Sequence, residues 1–472
     1  MSELLEPYQF QTEIIDRFKN ESCAGLFLDM GVGKTLITSN LIRYKMNKHQ
    51  TIFRTVIFCP IIVLDNWKRE LLMSTRIPSE MIGVIKGSKK KRLDALANPK
   101  YKVLIINYEA TRTEVIKNLL IKFKPQIAVC DESHIIKSRT SQIYKAVRQI
   151  TCNSFFRYAL SGTPITNTAE DVWSQFMFLD NGATFGERFF SFKSRYFVNK
   201  NAGWSSDKAF PDWQFIPSLE GCFRGKLQEK SLFLKKEDCL DLPDLVEQTI
   251  SVPMSTEQKK HYKELKTELI TWIDEQPDNP TIVSNALVKL LRLNELLSGY
   301  LKLSDDTIEP LKTNPRLDAL MTLIENTNPH KMIIFSVFKN NYKDIARELK
   351  KRKIEFVEIH GGVSTKRKLE AVDVFNDLSN NVRICIVHPA SGGVGINLKA
   401  AKYTAFYTRN HSMKDYEQSK ARNFRAGSID LHSKITHYNL VTPDTIDEQI
   451  LNALREKKKF AHSLLAIKEL LT

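Results

Sequence analysis

Two short blocks carry residue types that can handle a triphosphate. The first is Leu28-Asp29-Met30-Gly31-Val32-Gly33-Lys34-Thr35, which follows an apolar run and opens a helical pattern. Glycines let backbone N–H groups close around phosphate oxygens, and a helix N-terminus adds partial positive charge. Met30, Gly31, Val32, Gly33, Lys34 and Thr35 are therefore expected to cradle a nucleotide, with Lys34 on the β/γ-phosphates and Thr35 helping to hold Mg2+. Leu28 stands where such loops usually carry their first glycine. The bland alternative is a glycine turn that binds nothing. The second block is Ile127-Ala128-Val129-Cys130-Asp131-Glu132-Ser133-His134. Four apolar residues predict a buried strand, and two carboxylates follow at its carboxyl end. Asp131 is expected to take the metal through water, and Glu132 to orient and deprotonate an attacking water. Alone, such an acid pair is usually structural. Beside a lysine-bearing loop on a neighbouring strand it points to an NTPase using Mg2+.

A third group lies far downstream, in Gln418-Ser419-Lys420-Ala421-Arg422-Asn423-Phe424-Arg425-Ala426-Gly427. Arg422 and Arg425 are expected on one face of a helix. Supplied to a transferred phosphoryl group, an arginine is worth about three to five decades in rate. Taken alone, this segment reads better as a basic helix face turned to solvent or DNA.

Elements must position these groups. Apolar runs recur at Gly25–Leu28, Thr55–Cys59, Val103–Ile106, Ile127–Cys130 and Phe156–Leu160, each ending in a polar or small residue. A second series follows at Met332–Phe335, Phe356–Ile359, Val382–Val387, Thr404–Tyr407 and Ile435–Leu440. Continuous apolar strands alternating with helices imply a parallel sheet covered on both faces, with ligands at the strands' carboxyl ends. Between the two series, helical patterns predominate at Val172–Leu179, Phe189–Phe197, Thr256–Glu275 and Val283–Leu301, broken at Pro277 and Pro280. The expected architecture is α/β: two parallel-sheet lobes, 1–180 and 313–472, with a mostly helical insert and linker over 181–312.

A net charge of +16, spread along 472 residues, suits a polyanionic partner and fits a groove tracking a phosphate backbone better than a basic arm. Lys89-Lys90-Lys91-Arg92 is read as a solvated loop rather than a nuclear address. The seven cysteines form no CxxC pair and no zinc-ligand spacing, so reduced thiols are expected. No apolar run approaches the roughly 20 residues that span a bilayer. Met1–Pro7 lacks the order of a secretion signal. The expectation is an intracellular protein without membrane partners, cytoplasmic in a bacterial or phage-infected cell, or nuclear in a eukaryote.

In order along nearly the whole chain, the blocks resemble helicase superfamily two, and within it the Swi/Snf-like DNA translocases. Leu5-Glu6-Pro7-Tyr8-Gln9 is similar to that family's adenine-reading block, which implies Gln9 as a base contact. Cys59-Pro60 through Trp67-Lys68-Arg69-Glu70, Asn107-Tyr108-Glu109 and Ser161-Gly162-Thr163-Pro164-Ile165-Thr166-Asn167 resemble later blocks. They imply DNA-contacting or coupling roles for Pro60, Trp67, Asn107, Tyr108, Ser161 and Thr163. Asp171–Phe176 and Phe192–Phe197 look like the family's helical extension, and Leu234-Lys235-Lys236-Glu237 like its bridging segment. In the second lobe Ile334-Phe335-Ser336, His360-Gly361-Gly362 and Ser391-Gly392-Gly393-Val394-Gly395-Ile396-Asn397-Leu398 match. These imply DNA contacts at Ser336, His360, Gly361, Ser391, Gly392 and Gly393, and a nucleotide contact at Gly395. By the same resemblance Arg422 and Arg425 become finger arginines. Ser428 stands where the family usually has glutamine, and Thr408-Arg409-Asn410-His411 replaces its acidic, tryptophan-containing turn.

The resemblance implies two RecA-like lobes and a duplex-DNA-stimulated ATPase that translocates by backbone contacts, which position without reading sequence. Residues past Glu448 read as one terminal helix, leaving no room for a histone-reading module. The compact chain is closest in size to short phage or bacterial members acting on forks and four-way junctions, so branched-DNA processing in replication, recombination or repair is expected. Nucleosome or protein–DNA remodelling without strand separation, an RNA-directed motor and a non-catalytic DNA-binding scaffold are the alternatives. Trp204 and Trp213 are read as core aromatics rather than a junction wedge.

Overall fold

The computed structural model describes residues 5–162, 164–165, 168–201, 213–275, 280–302, 307–390 and 396–456, with the backbone alone described at 280–284 and 365. The chain divides into two compact units, Met1–Leu240 and Asp241–Thr472. The stretch expected as insert and linker is shared between them.

The first unit is built on strands β1 (Cys23–Leu28), β2 (Thr55–Cys59), β3 (Ile82–Ile85), β4 (Val103–Asn107), β5 (Ile127–Asp131) and β6 (Phe156–Leu160). Beyond them come the short antiparallel pair β7 (Phe197–Asn199) and β8 (Trp213–Phe215), then β9 (Ser231–Leu234). Among the described residues, seven strands form one sheet in the order β3-β4-β2-β5-β6-β1-β9, every neighbouring pair parallel. Every residue of β1, β2, β4 and β5 is buried, because helices cover both faces. The first three helices are α1 (Gln9–Phe18), α2 (Lys34–Lys48) and α3 (Leu64–Ser74).

Five expected strands of this unit are present. β3 and β9 are additions: each is short, and neither shows an apolar run that stands out in sequence. The phosphate-loop strand β1 and the acid-bearing strand β5 are not adjacent, as had been expected, because β6 lies between them. Gly25 explains how β9 can close on β1, since a Cβ there would lie 2.7 Å from the Cβ of Ser231. The aromatic helices Asp171–Asp180 and Phe189–Tyr196 pack Phe176, Phe192 and Tyr196 into the same core as the sheet, with Phe185 and Phe223. Trp213 is half-buried against that core, and Trp204 lies outside the described residues. The Lys89–Arg92 run is not a loop. It forms the exposed first turn of a helix, Lys89–Leu96, capped by the Ser88 hydroxyl.

The second unit carries β10 (Asp244–Ser251), the hairpin β11 (Tyr300–Lys302) and β12 (Ile308–Pro310), then β13 (Met332–Phe335), β14 (Phe356–Ile359), β15 (Ile384–Val387), β16 (Tyr403–Phe406) and β17 (Lys434–Val441). Six of them form a parallel sheet, β10-β17-β16-β13-β15-β14. The long helices Thr256–Asp274 and Pro280–Leu297 contribute Tyr262, Leu269, Leu290 and Leu293 to its core. The helical pattern expected to reach Leu301 stops at Leu297, where Gly299 takes a φ of 101° and turns the chain into the hairpin. No described helix is long and apolar enough to cross a membrane. All seven cysteines are free thiols.

Candidate ATP site

β1 delivers the chain to Leu28, and α2 begins at Lys34. The turn between them needs glycine at Gly31 and Gly33, whose φ angles are 89° and 90°. Leu28, in place of a glycine, uses its side chain in the core and its carbonyl in the loop. That carbonyl accepts from Lys34 Nζ at 2.7 Å, and the Asp29 carbonyl accepts from the same amine at 3.1 Å. The ammonium is thus held over the loop by neutral acceptors that phosphate oxygens outcompete. Met30 and Thr35 are half-buried beside it, and Val32 is fully buried.

Gln9 is exposed on the first turn of α1, where it donates to Glu13 Oε1 at 3.4 Å. The glutamine that touches the loop is Gln11, which the motif reading passed over. It is buried, donates from Nε2 to the Val32 carbonyl at 2.8 Å, and accepts from the Tyr8 N–H at 3.0 Å. A Cβ on Gly33 would fall 2.3 Å from that Nε2. The only signal for Gln11 was its place three residues after Tyr8, from whose N–H it accepts as the third residue of a capping box does.

Asp131 closes β5, and Glu132 follows in the left-handed region at φ 55°. Burial, then the neighbouring Glu132 carboxylate, push the Asp131 carboxyl up to about 6, while the Trp67 hydrogen bond and the Lys34 charge favour ionisation. Trp67 Nε1 donates to Asp131 Oδ2 at 2.8 Å, and the Glu132 N–H donates to Oδ1 at 3.0 Å. Tyr108 donates its hydroxyl to the Asp131 carbonyl at 2.8 Å. Burial raises that phenol well above its ordinary value, so it stays a donor. Trp67 and Tyr108 were expected to contact DNA or to couple it to the nucleotide. Both are fully buried behind the acid pair, because α3 and the turn after β4 pack against β5. They position Asp131.

The acid pair is also wired to the Ser161 block. His134 Nδ1 lies 3.2 Å from Glu132 Oε2 and 3.3 Å from Ser161 Oγ. Ser133 Oγ donates to Gln175 Oε1 at 2.6 Å, and Gln175 Nε2 donates to the Pro164 and Asp171 carbonyls at 2.7 and 2.9 Å. Gln175, on the aromatic extension, thus joins the turn after the acids to the block expected to couple them. β6 between β5 and β1 makes this possible, because Ser161 follows it directly.

Of the remaining expected contacts, Pro60 is half-buried at the end of β2. Asn107 is buried and donates to Glu109 Oε2 at 2.8 Å, and among the described residues its own Oδ1 has no partner. Thr163, Ser391, Gly392, Gly393 and Gly395 lie outside the described residues.

In the second unit Ser336 is not open to a ligand. It is fully buried, its hydroxyl 3.0 Å from Asn341 Oδ1 and 2.9 Å from Thr408 Oγ1, because it directly follows the central strand β13, which is paired with β15 and β16. His360 is half-buried and stacks on Tyr342 at 4.7 Å, with Gly361 exposed beside it. Arg422 and Arg425 do not share a helix face. The helix Met413–Lys420 stops before them, and the chain turns through Gly427 at φ 75°. Arg422 is buried, and its Nη1 donates to the Ile396 carbonyl at 3.1 Å. Arg425 is half-buried. Ser428, the departure from glutamine, holds it from both sides. Its hydroxyl donates to the Arg425 carbonyl at 2.6 Å and accepts from the Arg425 N–H at 3.3 Å. Arg409, in the altered turn, is buried and points inward. It donates to the Leu440 carbonyl at 2.6 Å and to Asp447 Oδ1 at 3.3 Å, while Arg316 donates to Asp447 Oδ2 at 2.7 Å. The guanidinium in this turn therefore braces the fold.

The donor set suits a hard cation. Asp131 and Glu132 are adjoining buried carboxylates, and magnesium is bound through one or two carboxylates plus substrate phosphates. Thr35 and Asp131 are the residues that fit it. Among the described residues no cluster of His, Cys, Asp and Glu forms a dedicated metal cage.

Two family descriptions match the chain: an SNF2-related domain over residues 13–299 and a helicase conserved C-terminal domain over 315–427. A zebrafish (Danio rerio) relative, Chromodomain-helicase-DNA-binding protein 1-like, is 25% identical, with 95% of this chain and 42% of the relative covered. The DNA repair and recombination protein RAD54-like of the same fish is 24% identical, with 97% of this chain and 66% of the relative covered. The chain therefore spans less than two thirds of the length of these relatives. Among solved structures, the SWI2/SNF2 ATPase core of Sulfolobus solfataricus in complex with dsDNA is 24% identical, with 97% of this chain and 94% of that chain covered, at a TM-score of 0.45. With the SNF2-related match covering more than half of its length, the chain belongs to the SNF2-related domain family.

Proposed function

We propose that this protein is a DNA-dependent ATPase that translocates on DNA and remodels branched substrates such as forks and four-way junctions, in replication, recombination or repair. The observation that carries the reading is the buried Asp131–Glu132 pair, tied through Trp67 and Tyr108 to its own lobe and through Ser133, Gln175 and Pro164 to the Ser161 block. In this reading Lys34 leaves the Leu28 and Asp29 carbonyls for the β/γ-phosphates. Bound magnesium, held by Thr35 and Asp131, would neutralise phosphate charge. Glu132 orients the attacking water and takes its proton, and His134 reports that change to Ser161. Arg422 and Arg425 are read as the groups that offset charge on the transferred phosphoryl.

The net charge of +16 supports a phosphate-backbone partner. The branched-DNA preference draws on the RAD54-like relatives, whose names state repair and recombination and of which this chain covers the larger share. A second reading, remodelling of protein–DNA complexes, is favoured by the ISWI chromatin-remodeling complex ATPase ISW2 of Saccharomyces cerevisiae, 24% identical. ATP turnover on linear duplex, fork, four-way junction and single-stranded RNA separates these readings. Stimulation is expected to be greatest with fork and junction. Equal stimulation by the three DNAs removes the branch preference, and stimulation by RNA alone removes DNA as the track. Glu132→Gln should bind DNA normally and hydrolyse nothing; normal turnover in that variant defeats the catalytic assignment.

A further inference from the structure

At the far end of α2 from the nucleotide loop lies a surface cavity of about 230 Å3, lined by Arg43, Met46, Asn47, Gln50, Thr51, Ile52, Thr75, Arg76 and Ile77. None of these nine residues is acidic. Arg43 is half-buried and Arg76 exposed, and neither makes a hydrogen bond or ion pair among the described residues. Their charges act on each other: burial, then Arg76, lower the Arg43 guanidinium from its ordinary value. Two cations held together without an anion are costly unless something else pairs them.

The cavity walls are fixed. Gln50 takes a left-handed φ of 51°, which folds the chain back so that the Thr51 N–H donates to the Met46 carbonyl at 3.1 Å. On the other wall Thr75 Oγ1 donates to the Leu71 carbonyl at 2.6 Å and accepts from the Ile77 N–H at 3.3 Å. Met46 and Ile77 are buried and form an apolar floor.

We infer that this cavity is a second phosphate site, in which Arg43 and Arg76 together clamp a phosphate or diphosphate group. Guanidiniums match phosphate oxygens through paired N–H donors, and two of them match a doubly charged oxyanion better than a single carboxylate. At ~30 Å3 for each water, the volume is that of roughly seven or eight waters, enough for a diphosphate. The site is separate from the phosphate loop, because nine residues of α2 set Arg43 roughly 13 Å along the helix from Lys34. The group could be free phosphate or pyrophosphate, or the phosphodiester backbone of DNA.

The test is calorimetric titration of the full chain with sodium pyrophosphate, without nucleotide or magnesium. The wild type should show two sites and Lys34→Ala one. Adding Arg43→Ala or Arg76→Ala to Lys34→Ala should weaken the remaining site by about tenfold to a hundredfold. Arg76 is exposed, so Arg76→Ala carries the test even if Arg43→Ala fails to fold. Arg76→Glu should close the site by pairing with Arg43 and raise the melting temperature. In the Lys34→Ala background, displacement of pyrophosphate by duplex DNA identifies the backbone as the source. Unchanged pyrophosphate binding in the presence of duplex identifies free phosphate, and both results require the site. The proposal fails if Lys34→Ala alone removes all pyrophosphate binding, if the arginine variants bind as tightly as their parent, or if acetate binds as well as pyrophosphate. None of these results depends on whether the chain acts on branched DNA.

Discussion

Trp67 donates its indole N–H to Asp131 Oδ2 across 2.8 Å, so a residue whose motif points to DNA contact or coupling is held against the acid pair. The expected outcome for Trp67→Phe follows. DNA affinity should stay within about twofold, while ATP turnover should fall by roughly tenfold or more as the hydrogen bond to the charged acid is lost. Filter binding and a coupled ATPase assay on one preparation check both. A drop in DNA affinity with turnover intact would return Trp67 to the DNA surface.

Asp131 makes unit stability depend on pH in a direction opposite to most surface acids. Its folded value, about 6, lies above its ordinary 3.8. The stabilisation is therefore full below the ordinary value and lost as pH rises through about 6, amounting to about 2–3 kcal/mol. In EDTA, the melting temperature of wild type relative to Asp131→Asn should fall between pH 4 and pH 7 on the order of a few degrees. Magnesium with nucleotide should offset that fall at pH 7. A pH-independent difference between the two proteins would mean that Asp131 is not held this way.

Gly33 and Gln11 are a fitted pair. Gly33→Ala meets both a φ of 90° and the Gln11 amide 2.3 Å from the new methyl. It should cost roughly 1–2 kcal/mol for the backbone alone and raise the KM for ATP. Adding Gln11→Ala removes the steric conflict but not the backbone strain, so the double variant should recover part of the lost melting temperature. Recovery of none would show that Gln11 does not press on the loop.

Asp447 is the only carboxylate described between Arg316 and Arg409. Asp447→Asn leaves two buried guanidiniums without an anion, and should destabilise the second unit by about 3–5 kcal/mol. Urea unfolding, followed by hydrogen exchange in β17, measures it. A loss below about 1 kcal/mol would mean that water already pairs these arginines.

Strands were legible wherever apolar residues ran without interruption: Thr55–Cys59, Phe156–Leu160, Met332–Phe335 and Phe356–Ile359 have the bounds read from sequence. β9 and β10 were not, because their partners come from distant parts of the chain. Ser231 and Asp244 become strand residues only when β1 and β17 present an edge to them. The phosphate loop and acid pair were readable because their chemistry forces glycine, lysine and carboxylate into fixed spacing. The roles of Trp67, Tyr108 and Ser336 were not, since a motif names a residue without saying which way its side chain turns. The same gap hid Gln11, two residues from the glutamine that the pattern favoured.

β9 lies hydrogen-bonded to β1 up to the first residue of the phosphate loop, where the Asp29 N–H donates to the Leu234 carbonyl at 3.0 Å and Asp29 Oδ2 accepts from the Lys236 N–H at 3.3 Å. Residues 235–243 then lead directly into β10, an edge of the other sheet. The covalent link between the units is thus anchored by hydrogen bonds at the turn that follows β1. A displacement of Asp29 would therefore pull first on the root of that link, through these two hydrogen bonds.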